Sequence, residues 1–564
     1  DDPVGLSHST SLSNSVVLEL QQAAAATVFN ETSHLDYPWQ LNNQNQLPPI
    51  NLSAIPDGAL AFEWVEQHGA QDDIMINDVT IDVNGTIFAA GNSELLSLNT
   101  TFGPCEFPEN MLMFVINLQP NGHCSWVANV TISGTGNLQD IQAGSVMNSI
   151  THDFYGNSYV VGTMMGSSNG FPKTYIFDEN ISFTLSSSVN GKGFVGKLNP
   201  QGEWQWVKIL NGTATHSEMT SIDANMQGDI IIGGNYGANY GEDGWGSSAG
   251  SLAFDSLYVQ AHGTYFRSIF VASIDSNGNW IWVNNAYHDT AGGSNRFNLH
   301  GIALDSIGST IITGDYAGSG NNRQLIFGNI SHTSDINDKN LFVAKIDSSG
   351  VWQWVKTFDL ASSASYGYAV DTDSNDDIFV TGLFYGNIEA NSTIISGGGN
   401  SNCFVGKLQT NGSWDWIKEG GGSGSECNAI TMDVRDNALV TGRYLVLAQF
   451  GGIQLSPISG GYDLFLAKIN NTGEWKFTVG AGTSSYDEAK SIFSDRNGNA
   501  YLSGQMQTGA AKYGPITKQN AQGMDWFIGK LTSDYDGDGE PDSIDGDDDG
   551  DYIIDINDKC QFSP

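Results

Sequence analysis

The sequence predicts an all-β chain, a seven-bladed β-propeller closed by its own N-terminal strand, and three observations carry that prediction. A first phrase, a β-branched run ending in glycine, occurs seven times: VTIDVNGTIFAAG (79–91), SITHDFYGNSYVVG (149–162), SIDANMQGDIIIGG (221–234), GIALDSIGSTIITG (301–314), AVDTDSNDDIFVTG (369–382), AITMDVRDNALVTG (429–442) and SIFSDRNGNAYLSG (491–504). A second phrase, made of an alternating strand, a glycine turn and a Trp-rich strand, is complete six times, as in GFVGKLNPQGEWQWV and LFVAKIDSSGVWQWV. Its seventh copy, WFIGKL (526–531), lacks the Trp strand. LAFEWV (60–65) supplies the match from the other end of the chain, with Trp64 on Trp206 and Val65 on Val207.

Four short strands per repeat, at a period of roughly 60–80 residues, read as propeller blades rather than one continuous sandwich. Closing the ring with the first strand removes edge strands that would otherwise invite aggregation. The paired tryptophans of WQW, WIW and WDW lie two residues apart, so they are expected on one face of a strand, filling the wedge between blades. A sugar-stacking platform is the weaker reading of the same pairs. The D-x-x-G-N and N-x-x-G segments, such as Asp275–Asn279 and Asp495–Asn499, carry the Asx and glycine chemistry of tight turns, with a calcium-loop reading as the lesser alternative.

The phrase typified by SITHDFYGNSYVVG resembles the bacterial and archaeal β-propeller repeat family whose signature is roughly G-x-A-x-D-x-x-G-N-x-Y-V-x-G. The resemblance covers about residues 60–531. It implies a propeller in an extracellular or cell-surface protein and is nearly silent on activity. The expected organisation is an N-terminal arm and linker (1–57), the propeller (58–531) and a C-terminal tail (532–564).

The tail changes composition abruptly. Asp534, Asp536, Asp538, Gly539, Asp542 and Asp545 fit D-x-D-x-D-G-x-x-D-x-x-D, with Glu540 lending its carbonyl at position 7. Such a carboxylate-dense loop, with glycine at its sharp bend, suits calcium. A second loop of the same spacing runs through Asp547, Asp549, Asp551, Asp555 and Asp558, with Ile553 as carbonyl donor; Tyr552 replaces its glycine. The tail resembles the thrombospondin type 3 repeat, which implies calcium as cofactor and little hydrophobic core. Without the ion, mutual repulsion is expected to keep the tail unfolded.

Sixty-two acidic residues against 22 basic ones give a net charge of −40, which argues against nucleic acid or anionic membrane as partner. No apolar run of about 20 residues is present to span a bilayer. The chain opens at Asp1 rather than Met, so a removed targeting segment is expected. Eleven N-x-S/T sequons permit glycosylation in a secreted chain. Five cysteines leave one odd. Cys403 and Cys427 are expected to pair near one rim. Cys105 and Cys124 form a second pair if the insertion around 92–110 folds over, and Cys560 stays free or pairs elsewhere. Disulfides fit an oxidising compartment.

The arm's apolar stretch SNSVVLELQQAAAATVF needs a surface, either its own propeller or a neighbouring copy. A head-to-tail contact of the second kind propagates into a polymer. The ten histidines show no metal-ligand spacing, and no nucleophile elbow or phosphate loop is present. His152 and His300 fall near the inner strand. The leading expectation is therefore a non-enzymatic extracellular structural or interaction protein, stiffened by calcium and used in self-assembly or adhesion, with other copies or glycans as partners. The alternative is a secreted carbohydrate-active enzyme or glycan-binding module at the channel mouth. Ligand residues are expected in the insertions 164–192, 235–266 and 316–340, above all in Gly237–Gly250.

Overall fold

The computed structural model describes Leu52, most of residues 58–543 and Asp545; residues 1–51, 53–57 and 546–564, with internal stretches such as 135–143 and 238–249, fall outside that part. The N-terminal arm, the second acidic loop (547–558), Cys560 and nearly all of Gly237–Gly250 therefore lie outside the described residues. The fold is an all-β β-propeller: every named element among the described residues is a β-strand.

Its main sheets are each built on an antiparallel four-strand meander and are lettered here by their innermost strands: A, Ile74–Ile81; B, Val146–His152; C, His216–Ala224; D, Arg296–Leu304; E, Ser365–Thr372; F, Glu426–Met432; G, Asp487–Ser494. Each innermost strand lies beside the next, and that of G lies beside that of A. In sheet G the outermost strand comes from the other end of the sequence: Ala59–His68 pairs antiparallel with Asp525–Asp534, Ala59 opposite Asp534 and His68 opposite Trp526.

The glycine that closes the first phrase answers to a β-bulge. In every inner strand one extra residue (Asn77, Asn148, Thr220, His300, Tyr368, Asn428, Lys490) interrupts the register with the second strand. The bulge turns the carbonyl two residues before it toward the facing glycine. At Gly162, Gly314 and Gly382 a Cβ would sit far inside contact with the backbone oxygens of Val146, Asn298 and Tyr366. The bulged side chain then reaches the next sheet: Asn148 Nδ2 donates to Met219 O (2.6 Å) and Thr220 Oγ1 to Leu299 O (3.0 Å). Bulges that re-aim one residue in this way are conserved design devices of sheets.

A second bulge corrects the expectation for the tryptophans. Leu198 pairs with Trp204 but Lys197 pairs with Trp206, so Gln205 is extra and the two rings fall on opposite faces. Trp204 packs in the core between sheets A and B, and Trp206 in the core between B and C. The same split holds for Trp280 and Trp282, for Trp352 and Trp354, and for Trp414 and Trp416. The second ring of each pair latches onto the next sheet. Trp206 Nε1 donates to Ser276 O (3.2 Å), Trp282 Nε1 to Ser348 O (3.1 Å) and Trp416 Nε1 to Asn471 O (3.0 Å). Each indole lies against a turn glycine, Gly278, Gly350 or Gly473.

The insertions 164–192, 235–266 and 316–340 contain hairpins. Lys173–Ile176 with Ser182–Leu185, Arg323–Phe327 with Ile330–Ser334, and Ala510–Tyr513 with Ile516–Gln519 each add two strands to the outer edge of the preceding sheet. Ser251–Phe254 with Leu257–Gln260 does the same against the short strand Asn211–Gly212. The physical reason is the exposed edge: an outermost strand presents unpaired amides and carbonyls, and a neighbour's hairpin satisfies them. Both expected disulfides are present. Cys105–Cys124 holds the folded-over insertion on the outer strand of sheet A, and Cys403–Cys427 joins sheet E to sheet F.

Candidate functional site

The acidic loop begins where the last strand ends. Asp534 is the final residue of Asp525–Asp534 and is 3% exposed; its carboxylate accepts from Gly537 N (2.9 Å) and Gly539 N (3.1 Å). Asp538 accepts from Glu540 N (2.8 Å), and Asp542 accepts from Tyr535 N (2.8 Å) while its own amide donates to Ser533 O (2.9 Å). Gly539, at the sixth loop position, has φ 100°, a conformation that favours glycine.

The loop is thus folded back on the strand, and Asp534, Asp536 and Asp538 each offer an oxygen within 4.8 Å of the others. Burial pushes the Asp534 carboxyl up to about 6; the Gly537 and Gly539 amides pull it down, and Asp536 and Asp538 add repulsion. Asp542 Oδ2 is buried with no hydrogen-bond partner. Crowded oxygens plus an orphaned carboxylate oxygen fit a hard dication. Asp545 is tied back through its amide to Pro541 O (3.1 Å), and Glu540 is exposed.

The other concentration of polar chemistry is at one mouth of the ring, where the inner strands begin and the second strands end. Glu426 pairs with Arg443 (2.7 Å), whose guanidinium lies 4.9 and 5.1 Å from the ring centres of Tyr462 and Tyr486. Glu488 accepts from Tyr486 Oη (3.1 Å), Gln505 Nε2 (3.2 Å) and Asn428 Nδ2 (2.9 Å). In sheet D, Asp315 holds His300 Nε2 (2.8 Å) and accepts from Asn298 Nδ2 (3.1 Å). His300 meets the edge of Tyr368, which also stands near Tyr366. In sheet C, Glu218 binds Arg267 and accepts from Asn235 Nδ2 (2.7 Å). Burial, with Glu426 and Tyr366 adding repulsion, drives the Tyr368 and Tyr385 hydroxyls up, so both stay protonated donors.

Deeper along the inner strands are three carboxylates. Asp78 accepts from Ser149 Oγ (2.7 Å) and Ser491 Oγ (2.6 Å), joining sheets G, A and B. Asp223 accepts from Leu304 N (3.1 Å) and Asp371 from Met432 N (2.9 Å). Burial pushes Asp223 up to about 7 and Asp371 up to about 6 against the pull of their amide donors. His152, 7% exposed, bonds Thr80 Oγ1 (3.0 Å), and burial lowers it to about 4. It packs as a neutral core side chain.

The sequence pointed to the acidic loop and, at the mouth, to His300, but not to the acidic, tyrosine and arginine side chains around it. The missed signal is internal: residues at the inner-strand starts change chemistry from copy to copy, whereas the turn and glycine positions repeat.

No family model matches the chain, and no curated protein matches it. Among solved structures it is similar to a luciferin-regenerating enzyme (9% identity, 67% of this chain and 87% of that one, TM-score 0.28). It is also similar to Synechocystis apocarotenoid oxygenase (10% identity, 73% and 94%, TM-score 0.28) and to Drosophila Plexin A (7% identity, 84% and 88%, TM-score 0.28). At such values these likenesses carry no argument about activity.

Proposed function

We propose that this chain is a non-enzymatic extracellular or cell-surface interaction protein: a propeller closed by Ala59–His68, with a calcium-binding loop at its C-terminal end, used in self-assembly or adhesion. The observation that carries the reading is the position of Asp534. It is at once the first carboxylate of the twelve-residue loop and the last residue of the pairing between the two ends of the sequence. A calcium ion on Asp534, Asp536, Asp538, Asp542 and Asp545, with the Glu540 carbonyl, would stiffen that seam. The two disulfides support an oxidising compartment. Assembly through the N-terminal arm, a thrombospondin type 3-like second loop and glycosylation at the sequons belong to the same reading.

The test is calorimetric titration of the full chain with calcium, followed by electron microscopy with and without millimolar calcium. Saturable binding together with ordered polymers or arrays is the expected result. A chain that takes up no calcium loses the metal part of the reading, and isolated rings under every condition remove self-assembly.

A further inference from the structure

We propose that the mouth formed by sheets C to G binds a neutral oligosaccharide. The inference deepens the interaction reading above and rests on it, naming the class of partner.

The internal copies separate architecture from function. The glycine facing the inner bulge is glycine in all seven copies, because a carbonyl fills the space of its Cβ. Two residues before the bulge the copies part company: Met75 and Val146 in sheets A and B, then Glu218, Asn298, Tyr366, Glu426 and Glu488 in C to G. Nothing in the bulge geometry requires those side chains. At this position, polar and aromatic side chains are therefore gathered on sheets C to G, while sheets A and B present Met75 and Val146.

The chemistry of that arc selects the ligand. Glu426 is paired with Arg443 and Glu218 with Arg267, Asp315 is hydrogen-bonded to His300, and Lys339 lies over the Tyr366 ring (4.9 Å), so these charged groups already have partners. The net charge of −40 repels polyanions besides. What the arc offers is the half-buried rings of Tyr366, Tyr368 and Tyr385 beside alternating donors and acceptors. Sugars complement both, with apolar C–H faces for rings and hydroxyls that donate and accept together.

A second observation points the same way. Gln505 is 6% exposed and leaves Oε1 without a partner, and Arg443 leaves Nε likewise. Buried polar atoms are rarely left unpaired in native proteins. Both atoms are covered in the free chain, and a small turn of either side chain would bring one acceptor and one donor to a sugar hydroxyl.

The experiment is isothermal titration of the full chain with linear hexasaccharides of β-1,4-linked glucose, mannose and xylose, and with polygalacturonate as the polyanion. The same titrations are run on Tyr368→Ala, on the near-isosteric Glu426→Gln, and on Tyr258→Ala, whose exposed ring belongs to a hairpin rather than to the mouth. Expected is a Kd of about 1 mM or tighter for at least one neutral hexasaccharide. Tyr368→Ala should weaken it about tenfold or more, and Tyr258→Ala should leave it unchanged. Thermal melts report folding, and if Tyr368→Ala does not fold, Glu426→Gln decides. No neutral binding, binding of the polyanion alone, or binding untouched by both mouth variants overturns the site. Chromatography of the bound sugar separates the two readings: cleavage overturns the non-enzymatic function and leaves the site, whereas absent binding overturns the site and leaves the function.

Discussion

Asp376 clasps Ser306 across two sheets: one carboxylate oxygen accepts from the Ser306 amide and the other from its hydroxyl, both at 2.8 Å. Asp376 occupies a turn position with φ 61°, where most other copies have glycine. Asp436 repeats the arrangement toward Ser374 (2.9 and 2.7 Å). A strained backbone is thus exchanged for two charge-assisted hydrogen bonds between neighbouring sheets. Asp376→Ala keeps the strain and loses the clasp, and is expected to destabilise by about 2 kcal/mol. Asp376→Gly loses the clasp but relieves the strain, and should cost about 1 kcal/mol less. Urea unfolding of the two variants checks the order; equal losses would mean that the left-handed turn carries no strain.

The bulge-facing glycines make a sharper contrast. Gly382→Ala drives a methyl into the Tyr366 carbonyl, and should cost about 3 kcal/mol or prevent folding. Gly399 has open space around the position a Cβ would take, so Gly399→Ala should be neutral or stabilising by up to about 1 kcal/mol. Melting temperatures of the pair distinguish close backbone approach from mere flexibility as the reason for glycine.

These positions also mark how far the sequence was readable. The repeat of β-branched runs, the glycine endings and the match of LAFEWV to the Trp strand were visible because each is a local pattern recurring at fixed spacing. The opposite-facing tryptophans were not, since a two-residue spacing implies one face unless a bulge intervenes, and Gln205 looks like any other strand residue. The edge-covering hairpins escaped for a related reason. Their strands, such as Lys173–Ile176, are short, and their pairing partner belongs to the preceding repeat. The acidic loop was legible because its chemistry lies in one contiguous run, whereas the mouth is assembled from side chains hundreds of residues apart.

Stability should fall as pH rises from about 4 to 7. Asp223 titrates near 7 in the folded chain and Asp371 near 6, both raised by burial, against an unfolded carboxylate value of about 4. Between those limits the native state holds more protons than the unfolded one, so stability is greatest below the unfolded value and is lost as pH climbs through the folded one. Asp534, raised to about 6, adds to the slope when calcium is absent. Asp223→Asn is expected to flatten the dependence between pH 5 and pH 8. Urea midpoints across that range, measured in chelator, test this; a variant with the wild-type slope would place the proton uptake elsewhere.

Calcium should act on the seam between the two ends of the sequence more than on the rest of the ring. Asp534 faces Ala59 in the last rung of the terminal pairing, and neither disulfide crosses that rung. Metal binding stabilises only what it holds together, by about 2.7 kcal/mol at a free concentration one hundred times Kd. Backbone amides of Ala59–His68 and Asp525–Asp534 should therefore exchange more slowly in millimolar calcium than in chelator, with little change in Arg296–Leu304 across the ring. Asp538→Ala, which removes an exposed ligand outside the ladder, should abolish the difference without altering exchange in chelator. Uniform protection of all inner strands would show that the ion stiffens the whole propeller, and protection confined to residues after Asp534 would show that the loop folds without touching the seam.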